Sequence, residues 1–537
     1  MSAGIAASAQ TYYDAYNFSR EEFYGTARSV AMGNALTAVG GDIGSVAINP
    51  AGSAVAGYSQ VTVTPGFSIS MTTSQGTPLA GESIANGFEN SVKASKTRFT
   101  IPSVGMTFNF DTHRNRGVKD VSIGFIYTTT DLFLNNLSAS GTNNTTTISG
   151  YFAQLAKGYT ATALNANGVY DSGIPWAAIL AYRGGLIATR QGSESVYVGA
   201  AETALGNGES AIAGLINQNY GRQTTGSKGS MIFNVGMNIS DFLYIGGNIS
   251  LVVLNYSYSD SMRESVNTDD PANVARFKQE FLNPDGTTVE TRFDNLRYRQ
   301  FWKDRGTGIN AKIGIIGRPV AGLRLGLTVE TPSAIVIKES YNYDAQSQYN
   351  NSNFSSSSNS PDDSFSYRLR TPWRFGFGAA YTFADKGLIS VDYELADYVS
   401  MRLKGSGSDS DYSYEDVNED IASRMGLGHT VRVGGEFKPI PALALRAGFN
   451  FISCAEKDPI FGRYYKTQTL SGALGIGYST PGSFFVDAAA RLAFQPDNYM
   501  TPYGDYTDGA GNLIAAAPQI LTKSKLFSAM VTVGWRF

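Results

Sequence analysis

The stretch SFFVDAAARLAF, residues 483–494, decides the fold. Phe484, Val486, Ala488, Ala490, Leu492 and Phe494 share one parity, and Ser483, Asp487, Ala489 and Arg491 share the other. Successive side chains of a strand point to opposite faces, so this segment carries one apolar and one charged face. A charged face belongs to water and an unbroken apolar face of this length needs a covering.

The same alternation recurs on both sides of it. Over 442–452, Leu443, Leu445, Ala447, Phe449 and Phe451 oppose Arg446 and Asn450. Over 430–438, Val431, Val433 and Phe437 oppose Arg432, Glu436 and Lys438, and over 323–330 Leu323, Leu325, Leu327 and Val329 oppose Arg324, Thr328 and Glu330. The last segment sets Phe527, Val531, Val533, Trp535 and Phe537 against Ser528, Thr532 and Arg536. Candidate strands fall at 58–70, 96–110, 118–131, 229–239, 242–258, 306–317, 321–338, 365–383, 387–404, 428–438, 441–454, 466–479, 483–494 and 525–537. They are longer than the ~5–6 residues of a globular sheet, and several end in aromatics, as an interfacial girdle requires. Every second connection is short (111–117, 240–241, 318–320, 384–386, 439–440, 480–483) and the others are long, with 132–228 and 259–304 the longest. An even number of strands with short turns at one end and long loops at the other predicts an all-β transmembrane fold. The architecture expected is an antiparallel 14-stranded outer-membrane β-barrel over 58–537, both termini periplasmic, with the polar faces lining the lumen.

Composition agrees. Charged residues make up 16% of 537 residues, against ~25% in an average soluble chain. The net charge of −3 offers no basic face for nucleic acid. The single cysteine excludes an internal disulfide, and without a Cys/His cluster no metal or cofactor is expected. Residues 1–9, MSAGIAASA, end in a small-x-small pattern and read as the residual tail of a signal peptide cut before Gln10, or as an ordinary flexible terminus. The two histidines, His113 in a short turn and His429 at the loop end of a strand, lie in no nucleophile frame, so no catalytic residues and no enzyme activity are expected.

The lumen-facing parity should carry Arg324, Arg374, Asp392, Glu394, Arg402, Arg432, Glu436, Arg446, Asp487, Arg491 and Arg536. These charges either pair across the lumen and hold a plug, or stand solvated in a water-filled channel. One strand breaks phase: Phe99 and Ile101, then Val104, Met106, Phe108 and Phe110, with the slip at Pro102-Ser103. Such a slip reads as a bulge, either a gap in the wall or a harmless feature of the rim.

Ahead of the strands, residues 25–57 read GTARSVAMGNALTAVGGDIGSVAINPAGSAVAG, too rich in glycine for a strand and almost free of charge. Residues 10–57 are therefore expected to plug the lumen. Within them Gly25-Thr26-Ala27-Arg28, Ala31-Met32-Gly33-Asn34-Ala35, Gly41-Asp42 and above all Asn49-Pro50-Ala51-Gly52 resemble the hatch of the FadL/TodX family of outer-membrane transporters of hydrophobic compounds. The resemblance implies uptake of small hydrophobic molecules such as long-chain fatty acids. Capture would occur in a groove between extracellular loops, followed by binding beside the hatch and lateral release at an inward kink of the third strand.

Carried onto this chain, the hatch motif is Asn49, Pro50 and Ala51. Ligand-pocket candidates on the hatch are Phe18, Phe23, Arg28, Met32, Leu36 and Val39, which packing of the hatch on the wall would explain as well. Groove candidates are Trp176, Ile179, Leu180, Phe301 and Trp302, for which self-packing is the plainer alternative. Over 118–131 alternation is regular and only Gly124 would permit bending, so no kink is evident there; Pro102 and Ser103 are the substitute candidates for the wall opening. The expected partners are a hydrophobic small-molecule ligand and outer-membrane lipid and lipopolysaccharide, with a monomeric chain. A relative serving protein secretion or surface assembly, or a general porin, is the alternative.

Overall fold

A computed structural model of the chain describes residues 11–78, 87–205, 209–282, 288–457, 468–480, 482–508 and 511–537. Residues 1–9, read above as a signal-peptide tail or a flexible terminus, Gln10, the first two residues of the 466–479 strand and Pro481 lie outside the described residues.

Fourteen antiparallel wall strands close on themselves among the described residues. In chain order they are β1 (Gln60–Thr77), β2 (Val92–Asp111), β3 (Val118–Asn143), β4 (Ile216–Ile239), β5 (Leu243–Val266) and β6 (Thr288–Val320). Next come three strands in two pieces each: β7 (Leu323–Glu330 and Ala334–Tyr349), β8 (Asp363–Arg370 and Arg374–Thr382) and β9 (Gly387–Asp397 and Arg402–Gly405). They are followed by β10 (Leu427–Ile440), β11 (Leu443–Ile452), β12 (Thr469–Ser479), β13 (Phe484–Phe494) and β14 (Gln519–Arg536). Each pairs with its chain neighbour, and β14 pairs with β1, Gln60 opposite Arg536, which closes the ring. The segment 483–494 behaves as read: Asp487, Ala489 and Arg491 are buried inside while its apolar parity faces out.

Several strands run past their expected ends. β6 is 33 residues long and β3 is 26, so much of 132–228 and 259–304 is strand rather than loop. On the outward face of β6 the run Ile309, Ile313 and Ile315 covers its lower part, and Lys303 and Arg305 stand above it. A band of ~25 Å needs only about ten tilted residues, so the upper halves of β3 to β8 rise clear of the apolar band. There they enclose a crown with its own core, in which Phe152, Leu164, Ile179, Leu180, Leu186, Phe277 and Phe293 are buried.

β7, β8 and β9 are interrupted at one level. Thr331-Pro332-Ser333 lies beside Thr371-Pro372-Trp373: the Ser333 N–H donates to Thr371 Oγ1 at 2.8 Å and the Thr371 N–H to the Ser333 carbonyl at 3.0 Å. Proline has no N–H to give the ladder, so each strand breaks there and resumes one parity out of phase. Tyr398–Ser400 forms a short helical turn that does the same to β9. Below the break the lumen receives Glu330, Arg374 and Glu394; above it, Ile337, Tyr367, Leu369, Met401 and Leu403. Arg402, expected in the lumen, therefore points outward, because the alternation was extended through this turn.

Candidate functional site

The N-terminal segment lies inside the barrel. Its helices α1 (Tyr12–Ser19), α2 (Ala27–Ala31) and α3 (Ile43–Ile48) are short, each capped by a side chain of Thr11, Thr26 or Asp42. From Phe23 to Ala54 nearly every residue is buried. The wall approaches the backbone closely: a Cβ on Gly246, Gly314, Gly326 or Gly448 would collide with Pro50–Ala51, Asn49, Thr37–Ala38 and Met32–Gly33 respectively.

Asn49 acts through both ends of its amide. Its Oδ1 accepts the Ala51 N–H at 3.0 Å and caps the turn Pro50–Ser53. Its Nδ2 donates to the carbonyls of Thr37 at 2.7 Å and Ile315, in β6, at 3.2 Å. Asn234 returns a bond to the Pro50 carbonyl at 3.0 Å, and Asn248 one to Val46 at 2.9 Å. The motif thus ties the segment to β4, β5 and β6.

Charges fasten the other side. Arg28 Nε donates to Glu436 Oε2 at 2.9 Å, Glu436 accepts Arg446 at 2.7 Å, and Arg446 continues to Asp487 at 2.5 Å. Glu22 pairs with Arg491, and Arg374 lies between Glu21 at 3.6 Å and Glu394 at 3.0 Å. Of the two readings of the lumen charges, pairing is the one realised at these residues.

The third strand departs from its expected course. β2 and β3 pair from Asp111 opposite Asp120 up to Ser103 opposite Thr128, and no further. Above that point β2 remains paired to β1, while β3 shifts register against β4 at Thr130 and turns inward. Residues 128–134 are buried on both parities. Leu132 and Leu134 pack with Tyr24, Ala493 and Leu526, and Asn135 Nδ2 donates to Ser524 Oγ of β14 at 3.3 Å. The wall is thus unzipped between β2 and β3. The N-terminal segment holds the departing backbone: Glu22 N–H donates to the Thr130 carbonyl at 2.7 Å and Tyr24 N–H to that of Thr129 at 2.9 Å. The expectation of an unkinked third strand is corrected.

Beside this junction is a cavity of about 370 Å³, lined by α1, Arg20, Glu22, the stretch 131–135, Tyr256, Tyr258, Trp302, Asp304 and Glu339 among others. A file of aromatic rings reaches it from the crown. Trp176 lies 5.9 Å from Tyr343, Tyr343 5.9 Å from Trp302, and Trp302 4.7 Å from Tyr258. Two residues along, Tyr256 stands 5.2 Å from both Phe133 and Phe18.

The sequence-derived candidates separate accordingly. Phe18 and Trp302 line the cavity, and Trp176 begins the aromatic file. Phe23, Met32, Leu36 and Val39 pack with Ile43, Val46, Ile126 and Ile232 inside the plug–wall contact, and Arg28 is committed to Glu436. Ile179 and Leu180 are fully buried in the crown, and Phe301 faces outward. The slip at Pro102-Ser103 is a bulge, and Ser103 is where the β2–β3 ladder ends. Gly124 sits within the regular part of β3, opposite Thr107. Glu22, Tyr24 and 129–131 were missed; Thr128-Thr129-Thr130-Asp131 puts polar side chains on both faces, a signal that the strand leaves the lipid there. His429 shares a 2.7 Å hydrogen bond with the Tyr393 hydroxyl on the outer wall, and His113 is in an exposed turn.

These features define a class: a closed antiparallel barrel of outer-membrane type with its lumen filled by its own N-terminus. Within that class the chain has the fold of the FadL homologues. It is similar to the crystal structure of a Pseudomonas aeruginosa FadL homologue, at 14% identity over 95% of this chain and 98% of that one, with a TM-score of 0.51. It is also similar to the toluene transporter TodX of P. putida, at 11% identity over 96% and 99% of the two chains and a TM-score of 0.47. No protein-family model and no curated protein sequence matches.

Proposed function

We propose that the protein takes up small hydrophobic molecules across the bacterial outer membrane and releases them sideways between β2 and β3. Residues 10–57 act as a hatch, and the long connections face outside with both termini in the periplasm. One observation carries the reading: the cavity, the unzipped β2–β3 wall and the N-terminal segment meet at Glu22, Tyr24 and 129–131.

Ligand would enter along the file from Trp176 to Trp302 and settle beside Phe18. Burial of a methylene is worth ~0.8 kcal/mol, so aromatic walls can draw an apolar molecule out of water. A shift of the 22–24 backbone would then free the carbonyls of Thr129 and Thr130 and let the inward loop of β3 move. Exit through the seam leads into the bilayer, where an apolar molecule is at home, rather than into the aqueous periplasm.

The test is uptake of a panel of radiolabelled fatty acids, alkanes and monoaromatics by cells with and without the protein. Faster uptake of at least one class supports the reading; equal uptake of every compound overturns it. A porin would instead conduct ions in planar bilayers with the N-terminal segment in place.

A further inference from the structure

Above the apolar band, the outer face of β6 to β9 sets cations directly against one another. Arg305 of β6 is opposite Lys338 of β7, Arg368 of β8 is opposite Lys404 of β9, and Arg370 is opposite Arg402. All six side chains are exposed on the outward parity. The first pair continues into the others, because Lys338 is opposite Ser366, two residues from Arg368 on the same face. Side chains directly opposite in a ladder have Cβ atoms ~4.5–5.5 Å apart, and like charges placed so repel. Salt at physiological strength screens only beyond ~8 Å, so the repulsion is not removed by it.

No described acid offsets these charges. Arg305, Lys338, Arg368, Arg370 and Lys404 make no hydrogen bond or ion pair with any described residue. Arg402 uses only Nη1, on the carbonyls of Val399 at 2.7 Å and Met401 at 2.6 Å. Asp397, on the outward parity just below the break in β9, pairs with none of them, and Asp409 accepts the Ser366 N–H at 2.8 Å. A destabilising arrangement repeated on neighbouring strands marks a surface built for an anion from outside the chain.

The depth of the patch says which anion. Below it on the same outer face, Trp373 stacks on Phe375 with ring centroids 6.5 Å apart, and Tyr393 stacks on His429 at 6.0 Å. Rings gathered in this way mark the boundary between hydrocarbon and headgroups. Arg370 is three residues from Trp373, within ~11 Å of extended backbone, so the cations occupy the headgroup layer. Four of the six are arginines, whose planar fork meets two phosphate oxygens at once.

We infer that this face binds lipopolysaccharide of the outer leaflet. The lipid A phosphates lie between the opposed cations and the acyl chains lie against the apolar wall below. The inference rests on the long connections facing outside and is independent of which molecule is transported.

The probes are bis-phosphorylated lipid A, the same lipid A with both phosphates removed, and phosphatidylglycerol. Native mass spectrometry of the full-length protein in detergent should give the phosphorylated lipid A at least tenfold tighter binding than either other lipid. In Arg368→Gln/Arg370→Gln/Arg402→Gln/Lys404→Gln that advantage should fall below twofold, with an unchanged strand signal in circular dichroism. Arg114→Gln/Arg116→Gln, which removes exposed cations from a turn at the other end of the barrel, should retain it. If the fourfold variant does not fold, Arg370→Gln/Arg402→Gln asks the same question and should lose at least half of the advantage. Equal binding of the dephosphorylated lipid overturns the inference and turns the search to an acidic protein. Equal binding of phosphatidylglycerol makes the face a general anionic surface and overturns the assignment to lipopolysaccharide. An advantage that survives the patch variants, or is lost in the turn variant, overturns the assignment to these side chains. Uptake by cells decides the transport reading separately.

Discussion

The backbone of Tyr24 is bonded to that of Thr129: the N–H of one meets the carbonyl of the other at 2.9 Å, in an isolated antiparallel bridge. This bridge is the most direct mechanical link between the plug and the strand that leaves the wall. Residues opposed in such a bridge have Cα atoms ~4.5–5.5 Å apart, within the range a disulfide spans. With Cys454 replaced by serine, the pair Tyr24→Cys/Thr129→Cys should cross-link under oxidation. If the two must separate for release, uptake in oxidised cells should fall at least tenfold and return on reduction. Transport unaffected by the cross-link would disconnect hatch movement from exit.

Two adjacent glycines of β5 separate plug contact from strand propensity. A Cβ on Gly246 runs into the Pro50–Ala51 backbone, whereas one on Gly247 meets nothing within 4 Å. Overpacking of this kind costs ~1–3 kcal/mol, so Gly246→Ala should displace the 49–51 turn and Gly247→Ala should not. Proteolysis of the N-terminal segment in detergent reads the difference. Equal protease sensitivity of the two variants would mean that the turn is not seated against β5.

The barrel was legible because lipid on one side and polar lumen on the other impose strict alternation, as in 483–494. The upper strands were not, because above the bilayer both faces of β4 to β6 meet protein or water and the pattern fades, as in Thr224–Lys228. The phase reversals at Pro332 and Pro372 carry a local signal, a proline inside a strand; the turn at Tyr398–Ser400 carries none, which is why Arg402 was placed on the wrong face. The site was half legible. A motif such as Asn49-Pro50-Ala51 can be read off the chain, but Asp304 and Glu339 become neighbours only through pairing of β6 with β7. Likewise Tyr24 and Thr129 meet only because β3 leaves the wall, a tertiary event with no counterpart in local propensity.

In the crown, Glu264 provides a pH dependence. Its carboxylate accepts the Ile148 N–H at 2.9 Å and Gln218 Nε2 at 2.7 Å, yet burial outweighs these bonds and pushes its pKa up to about 7. The folded crown therefore holds this proton more tightly than the unfolded chain. Its contribution is complete below the ordinary glutamate range near pH 4.5 and is lost as pH rises through about 7. The loss amounts to about 3 kcal/mol. Hydrogen exchange of 143–150 should accelerate between pH 5 and pH 8 beyond the intrinsic chemical rate, and Glu264→Gln should abolish the excess. An excess that persists in the variant assigns the effect to another group.

The relay Arg28–Glu436–Arg446–Asp487 joins the plug to three wall strands, and its members are not equivalent. Arg446 bonds both carboxylates, at 2.7 and 2.5 Å, so Arg446→Met strands the buried Asp487 and weakens the hold on the buried Glu436. Breaking a buried pair from one side costs ~3–5 kcal/mol. Arg28→Met leaves Glu436 its Arg446 partner, so the cost is that of one charge-assisted bond, ~1.5–3 kcal/mol. Urea unfolding in detergent should rank Arg446→Met well below Arg28→Met. Conductance in planar bilayers should rank them differently: Arg28 is the member that belongs to the plug, so its loss should raise the frequency of open events most. If instead conductance follows stability, with Arg446→Met the leakier, the relay braces the wall and the plug is held by Asn49 and its neighbours alone.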